Sequence, residues 1–272
     1  MFSIFFKTFS KILGFLFGIL IFIIFLVFLS NLNQRYDDKY FNYLSGDKNS
    51  DQNIAIMKIN GPIISELPKI NNYNIFNTLD VIYPNLIKKY LDELKQKKIK
   101  GLIISINSPG GSVSATQQIY EMVISFKKEN SIPIFFHSSD MLASGGYWLA
   151  LSGDKIFADY GAVIGSIGVK GPDWIYYNNP TSLSQGILGG SVESSRGLKL
   201  FTNTAGKSKD LFNPFRSPSE YEKNKLTQIV TDIYEDFVTL VSYSRKIEED
   251  IIKNEIGAMI YNTQRAKENF LI

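Results

Sequence analysis

Two glycine-rich elements carry the groups that could do chemistry. In the stretch Met141–Val169, Ser144 is followed by Gly145, Gly146 and an apolar run. A serine where a strand or loop turns into a helix is a plausible seat for a nucleophile. The glycines let other backbone approach it, and the first N–H groups of the helix polarise whatever the hydroxyl touches. The competing reading is a helix N-cap, with the hydroxyl spent on the backbone. The second element, Ser108-Pro109-Gly110-Gly111, also follows an apolar strand and offers bare backbone N–H groups. Two N–H groups aimed at one point make an oxyanion hole, and losing one such donor costs roughly 10²–10³ in rate. A Pro-Gly turn after a strand is common, so the pair of elements is more informative than either alone.

A serine hydroxyl is nearly inert until a base takes its proton. The chain has no cysteine and a single histidine, His137, upstream of Ser144. A Ser-His-Asp hydrolase of the α/β type places its histidine after the nucleophile, and none follows here. Beside the strand Pro133–Phe136, His137 reads as a structural or surface residue. A lysine serves as base when its surroundings strip its charge. Lys170, Lys199, Lys207 and Lys209 lie downstream, and spacing does not choose among them; each also reads as solvated surface. Without cysteine, disulfides, thiolate zinc sites and a cysteine nucleophile are excluded. One histidine excludes a His-rich metal centre, and we expect neither metal nor cofactor. A net charge of +3 on 272 residues does not suggest a nucleic-acid partner.

The elements that must position these groups read as follows. Ile54–Ile59, Leu102–Ile106 and Pro133–Phe136 are apolar strands, the first two closed by Asn60-Gly61-Pro62 and Asn107–Gly111. Between them, Pro84–Lys98 places Leu86, Ile87, Tyr90, Leu91 and Leu94 on one helical face. A second helix carries Ile119, Met122, Val123 and Phe126, with Ser114 and Gln117 as its capping box. A short helix over Tyr147–Leu151 and a strand Lys155–Ala158 follow. Alternating strands and helices with short apolar strands predict a parallel sheet buried on both faces. Lys170–Leu200 reads as a long surface excursion without periodicity. From Ser217, an N-cap, Pro218 at the first helical position and Glu220 two residues on open a long amphipathic helix to about Arg245. Its stripe is read as core or as a subunit interface. A shorter helix is expected over Ile247–Asn254.

At the N-terminus, Ile12–Leu29 is 18 residues without a charge, close to the length that spans a ~30 Å hydrocarbon core. A cleaved signal peptide would have a shorter apolar region and a small-residue cleavage site, which Leu29–Asn33 does not offer. We therefore read an anchor over residues 1–30, a polar linker over 31–53 and a catalytic domain over 54–272, with its long helix at 218–245. Lys7 and Lys11 before the span mildly favour the N-terminus inside and the main domain outside.

The pieces Ile106–Gly111, Ala143–Tyr147, Ile164–Val169, Ala205–Asp210 and Asn213–Arg216, in that order, resemble the signal peptide peptidase A (protease IV) family. The similarity runs from about Ile54 to Ile272, and the closing segment Gly257–Ile272 resembles the family's ending. The resemblance implies an α/β, Clp protease/crotonase-like fold of repeated ββα units, preceded by one N-terminal transmembrane helix. It implies a Ser-Lys dyad serine endopeptidase, with Ser144 as nucleophile, Lys209 as general base and the Gly111 N–H on the oxyanion. It further implies a homo-oligomeric ring in which the lysine of one subunit serves the serine of its neighbour. Such enzymes sit in the cytoplasmic (inner) membrane with a single pass and an extracytoplasmic catalytic domain, degrading signal peptides and other small apolar peptides. The substrate groove would be apolar, formed by Gly110, Gly145, Tyr147, Trp148, Ile164 and Ile167; the four apolar side chains also read as ordinary core. The stretch between Ser144 and Lys209 is longer than in the shortest members, which makes Trp174–Gly190 an added loop near the cleft.

Two other classes compete. A non-catalytic membrane scaffold on the same fold would not need Ser144, Lys209 and Gly111 together. A crotonase-type acyl-CoA enzyme shares the paired N–H groups, but needs a CoA pocket and acid/base carboxylates that the sequence does not mark.

Overall fold

The computed structural model describes residues 2–33, 40–47, 50–66, 80–178, 180, 182–184, 191–193, 195–200 and 202–272. The chain divides into two units, Met1–Leu44 and Ser45–Ile272. The first is built on one helix, α1 (Phe2–Asn33). Within it, Phe2–Val27 is long and apolar enough to cross a membrane, and none of it is buried against protein. Its 26 residues span about 39 Å at the α-helical rise. Part of the expected linker lies outside the described residues.

The second unit is organised by a four-stranded parallel sheet of β1 (Asn53–Asn60), β2 (Ile99–Asn107), β3 (Ile134–Ser138) and, later in the chain, β5 (Lys155–Ala158), paired in the order β1-β2-β3-β5. The crossovers are α2 (Pro84–Lys95) and α3 (Val113–Asn130). Their buried stripes, Ile87, Leu91 and Leu94, then Ala115, Ile119, Val123 and Phe126, close over Met57, Leu102, Ile104, Ile134 and Phe136. The other face of the sheet departs from the sequence expectation. Ile56, Ile103 and Phe135 are in register across three strands, yet Ile56 is 41% exposed and Phe157 of β5 is 49% exposed. The second face of the parallel sheet is therefore less covered than the first, with Ile103 and Phe135 half-buried and Ile56 and Phe157 exposed.

Between β3 and β5 the chain inserts β4 (Met141–Ala143) and α4 (Gly145–Ala150). After β5, β6 (Val163–Gly165) pairs parallel with β4. The excursion that sequence periodicity left unstructured contains an antiparallel pair, β7 (Ser182–Ser184) with β8 (Ser191–Glu193). The stretch 185–190 between them, the end of the added loop expected at Trp174–Gly190, lies outside the described residues. Next come α5 (Glu220–Arg245), the short α6 (Glu249–Ile251) with a π-helical turn at Ile252–Ile256, β9 (Ile260–Asn262) and α7 (Thr263–Glu268). β9 was not legible in the sequence. It is three residues long and is held by antiparallel pairing to β6 rather than by any pattern of its own.

Both expected helix caps shift. α3 is capped by Ser112, whose hydroxyl accepts from the Ala115 N–H. α5 is capped by Ser219 in a full capping box with Glu222. Ser114 and Ser217 lose because the hydroxyl that reaches an orphan N–H belongs to the last residue still outside helical geometry. The buried apolar residues of α5, Phe237, Val238 and Val241, lie in its C-terminal half. There Phe237 stacks on Trp148 of α4, with centroids 4.8 Å apart. Further up the stripe, Ile229 is 55% exposed.

Phe237 is fully buried and ties the long helix to α4. Phe237→Ala should cost about 3–5 kcal/mol, read as a fall in the thermal unfolding midpoint. Ile229→Ala on the open half of the same stripe should cost far less in an isolated protomer.

Candidate functional site

The two glycine-rich elements meet. Where β2 ends, Ser108 pairs with Leu142 of β4: the Ser108 N–H donates to the Met141 carbonyl at 2.7 Å, and the Ala143 N–H donates to the Ser108 carbonyl at 3.0 Å. That bridge joins the main sheet to the β4-β6-β9 sheet and brings Pro109–Gly111 alongside Ser144. Ile63 fixes the loop from the other side. Its N–H donates to the Gly110 carbonyl and its carbonyl accepts from the Ser112 N–H, both at 2.8 Å. Upstream, Asn107 anchors the β3–β4 turn. Its Oδ1 accepts from the Ser138 hydroxyl at 3.0 Å and from the Asp140 N–H at 2.9 Å.

Ser144 stands at the start of α4 with φ 53° and ψ −124°, and its side chain caps nothing. A non-glycine residue in such backbone stores of order 1–3 kcal/mol, and it persists only where its surroundings over-determine it. Here the Ser144 N–H donates to the Gly165 carbonyl of β6, and the Ser144 carbonyl accepts from the Trp148 N–H, each at 2.9 Å. The N-cap reading is thereby removed. Among the described residues the hydroxyl has no partner, and it stands at the mouth of a helix whose first N–H groups have no intrahelical acceptor.

Gly111 (φ 149°) is exposed, and its N–H donates to no group among the described residues. A methyl built on Gly145 would lie 3.4 Å from the Gly111 nitrogen and 2.6 Å from the Thr116 hydroxyl. The two glycine backbones therefore adjoin beside Ser144. Gly110 is tighter still: with φ 95°, a methyl there would meet Ser144 Cβ at 2.7 Å and the Gly145 nitrogen at 2.6 Å. Its own N–H is spent on Ser108 Oγ at 3.1 Å and its carbonyl on Ile63. Gly110 thus acts as a spacer that lets the loop touch the serine, and its N–H is already spent within the loop.

The expected groove residues divide differently from the sequence reading. Tyr147, Ile164 and Ile167 are fully buried. Tyr147 donates its hydroxyl to the Leu271 carbonyl at 2.9 Å, and burial pushes its phenol pKa well up. These three are core in the protomer. Apolar spacing could not separate a groove wall from a core wall, because both bury the same side chains. His137 in β3 pairs with Asp159 at 3.0 Å and makes no hydrogen bond to Ser144.

Of the four candidate lysines, Lys170 is paired with Asp173 at 3.0 Å, and Lys207 sits 3.6 Å over the Tyr221 ring in a cation–π contact. Lys199 and Lys209 are exposed and make no ion pair among the described residues. Lys209 lies in the tight turn between Gly206 and Phe212, in which Ser208 and Phe212 also have positive φ. It makes no hydrogen bond to Ser144 within the protomer. The sequence did not reveal what holds this turn. Arg216 grips Asp210 through Nε and Nη2, both at 2.7 Å, and Glu222 through Nη1 and Nη2 at 2.9 and 2.7 Å. The guanidinium holds both carboxyls below the ordinary carboxylate range, helped at Glu222 by the Ser219 N–H. The capping-box spacing of Ser219 and Glu222 was the available signal.

Residues 126–272 match peptidase family S49, and residues 70–157 match the Clp protease family. An α/β Clp-like fold with a serine strained at a helix start is the class that sheet and site define. The chain belongs to peptidase family S49, a family of serine proteases. It is 27% identical over 223 residues to a candidate signal peptide peptidase SppA of Enterococcus faecium, covering 82% of this chain and 60% of that one. It is 30% identical over 207 residues to a candidate protease of Methanocaldococcus jannaschii, covering 74% and 62%. This chain thus spans about three fifths of those relatives' length. A membrane-bound stomatin-specific protease, solved as a mutant with a substrate peptide, superposes with a TM-score of 0.44 at 17% identity, covering 81% of this chain and 74% of that one.

Two outcomes test this geometry. Gly110→Ala should slow labelling of Ser144 by a fluorophosphonate by about 10²-fold or more, since displacement of a reacting group by about 1 Å costs that much. Asp210 and Glu222 have depressed folded pKa values, so the stability they contribute is complete above the unfolded carboxylate pKa of about 4 and is lost as pH falls through the lower folded values. The unfolding midpoint should therefore fall on acidification below about pH 4, and Arg216→Ala should make that fall shallower.

Proposed function

We propose that this chain is a membrane-anchored Ser-Lys endopeptidase that cuts signal peptides and other small apolar peptides. The observation that carries the reading is Ser144: a hydroxyl that caps nothing, held in strained backbone at a helix start beside the Gly111 N–H, which is unspent among the described residues. In the proposed reaction, Lys209 takes the Ser144 proton as Oγ attacks the peptide carbonyl, and the Gly111 N–H donates to the oxyanion that forms. The resulting ammonium then protonates the leaving nitrogen, and the amine so restored takes a proton from the water whose oxygen attacks the acyl group and releases it from Ser144.

The exposure of Lys209 supports completion of the dyad by a second subunit. In the protomer the amine stands open to solvent, whereas a neighbour docked over it would exclude water from the site. The open half of the α5 stripe is a candidate surface for that docking. The apolar helix Phe2–Val27 supports anchoring, and Lys7 and Lys11 near its start favour an extracytoplasmic catalytic unit. An enzyme tethered at the bilayer meets apolar peptides released from preproteins where they collect.

Ser144→Ala and Lys209→Ala should each reduce cleavage of a synthetic signal peptide by roughly 10⁴-fold or more, as removing one member of a catalytic unit does, with the fold intact by circular dichroism. Mixing the two inactive variants and allowing subunits to exchange should restore part of the activity if the dyad is shared. Two dead variants that stay dead after proven exchange would place the base within the same subunit. A Lys209→Ala variant at full activity would end the Ser-Lys reading.

A further inference from the structure

Lys209 makes no side-chain bond among the described residues, yet its chain neighbour Asp210 is tied through Arg216 to the start of α5. Asp210 takes the Nε/Nη2 edge of Arg216 in a bidentate pair, and the Arg216 Nη2 also reaches the Asp210 carbonyl at 3.5 Å. Arg216 and Glu222 are bound to each other by two further hydrogen bonds. Glu222 is 3% exposed and also closes the capping box of α5, with its Oε2 accepting from the Ser219 N–H at 2.8 Å and the Ser219 hydroxyl at 2.9 Å. The guanidinium also lies 5.3 Å from the Trp174 ring centroid. Trp174 donates its indole N–H to the Asn213 carbonyl at 3.2 Å.

We propose that Arg216 is a positioning residue for the catalytic lysine. Its planar fork locks Asp210 to the N-terminus of α5, so the turn presents the Lys209 side chain outward in one fixed direction. The proposal rests on the reading of Lys209 as base and adds how that base is aimed. The physical reason is geometric. A four-carbon amine on a surface turn is loose unless its backbone is held, and the turn has three positive-φ residues, Gly206, Ser208 and Phe212, of which the two non-glycines need external bonds to persist. A bidentate arginine–carboxylate pair fixes orientation as well as distance, and a lysine cannot reproduce it. The ties converge on helix α5, whose C-terminal half is anchored in the core by Phe237. The aim of Lys209 is thereby referred to the rigid part of the unit rather than to the loop.

The test uses the full-length chain in detergent micelles, with Lys209→Ala, Arg216→Ala, Arg216→Lys and Asp210→Asn. Peptide cleavage and fluorophosphonate labelling of Ser144 are followed from about pH 6 to about pH 10, with the thermal midpoint of each variant. Lys209→Ala should be inactive, which tests the underlying reading by itself. Arg216→Ala and Asp210→Asn should then lower kcat by about 10²-fold with KM changed less than about threefold, and should displace the acid limb of the pH–rate profile. Arg216→Lys should recover only a minor part of the loss. If Lys209→Ala is dead while folded Arg216→Ala keeps the wild-type kcat and pH profile, the positioning role is overturned and the dyad reading stands. A loss that merely follows the folded fraction, with an unchanged pH profile, overturns it equally. Should Arg216→Ala fail to fold, Asp210→Asn decides: a normal kcat overturns the proposal, and a reduced kcat with a displaced profile supports it. If Lys209→Ala is active, the dyad reading fails and this proposal falls with it.

Discussion

The pairing of Ser108 with Leu142 is the constraint on which the site depends. Two backbone hydrogen bonds join the end of β2 to β4, so two loops distant in the sequence, the one at Ser108–Gly111 and the one at Ser144, are brought edge to edge. Ser108 is fully buried, and its hydroxyl also accepts the Gly110 N–H. Leaving a buried polar group without its hydrogen bonds costs about 1–3 kcal/mol. Here making them sets the path of the glycine loop over the serine. Without this bridge, neither Gly110 nor Gly111 has a reason to stand beside Ser144.

Strain and rigidity complement one another at this point. Ser144 occupies backbone that favours glycine, and it does so between a β6 carbonyl on one side and the first turn of α4 on the other. The cost is carried by the packing around it. α4 is buried along its whole length, with Tyr147 tied to Leu271 near the chain's end and Trp148 stacked on Phe237. The C-terminal segment thus braces the short helix that starts at Ser144. The indole N–H of Trp148 is buried without a partner among the described residues, which marks α4 as a place where packing overrides hydrogen bonding.

The lysine side is built on another plan. It is an exposed turn whose geometry comes from charge pairing rather than burial. That division suits the proposed sharing of the dyad between copies, where the serine must be fixed by the protomer's own core and the amine must remain available at its surface. It also accords with the lack of any bond between Ser144 and Lys209 among the described residues of one protomer.

Strand and helix identities along the sheet were legible from the sequence, because short apolar runs bounded by Asn, Gly and Pro have few other readings. So were the two glycine-rich loops, as residue types suited to an oxyanion and a nucleophile. The long amphipathic helix was readable in extent, though its cap was placed at Ser217 rather than Ser219. The sequence by itself determined the candidate groups and the order of the elements, since composition and periodicity are local properties. Only the tertiary structure decided that Gly110 is a spacer, that Tyr147, Ile164 and Ile167 are core, that one face of the sheet is less covered than the other, and that Arg216 holds the lysine turn. Each of these is settled by which residues meet in space, and burial or pairing of that kind leaves no periodic trace in the segments that make it.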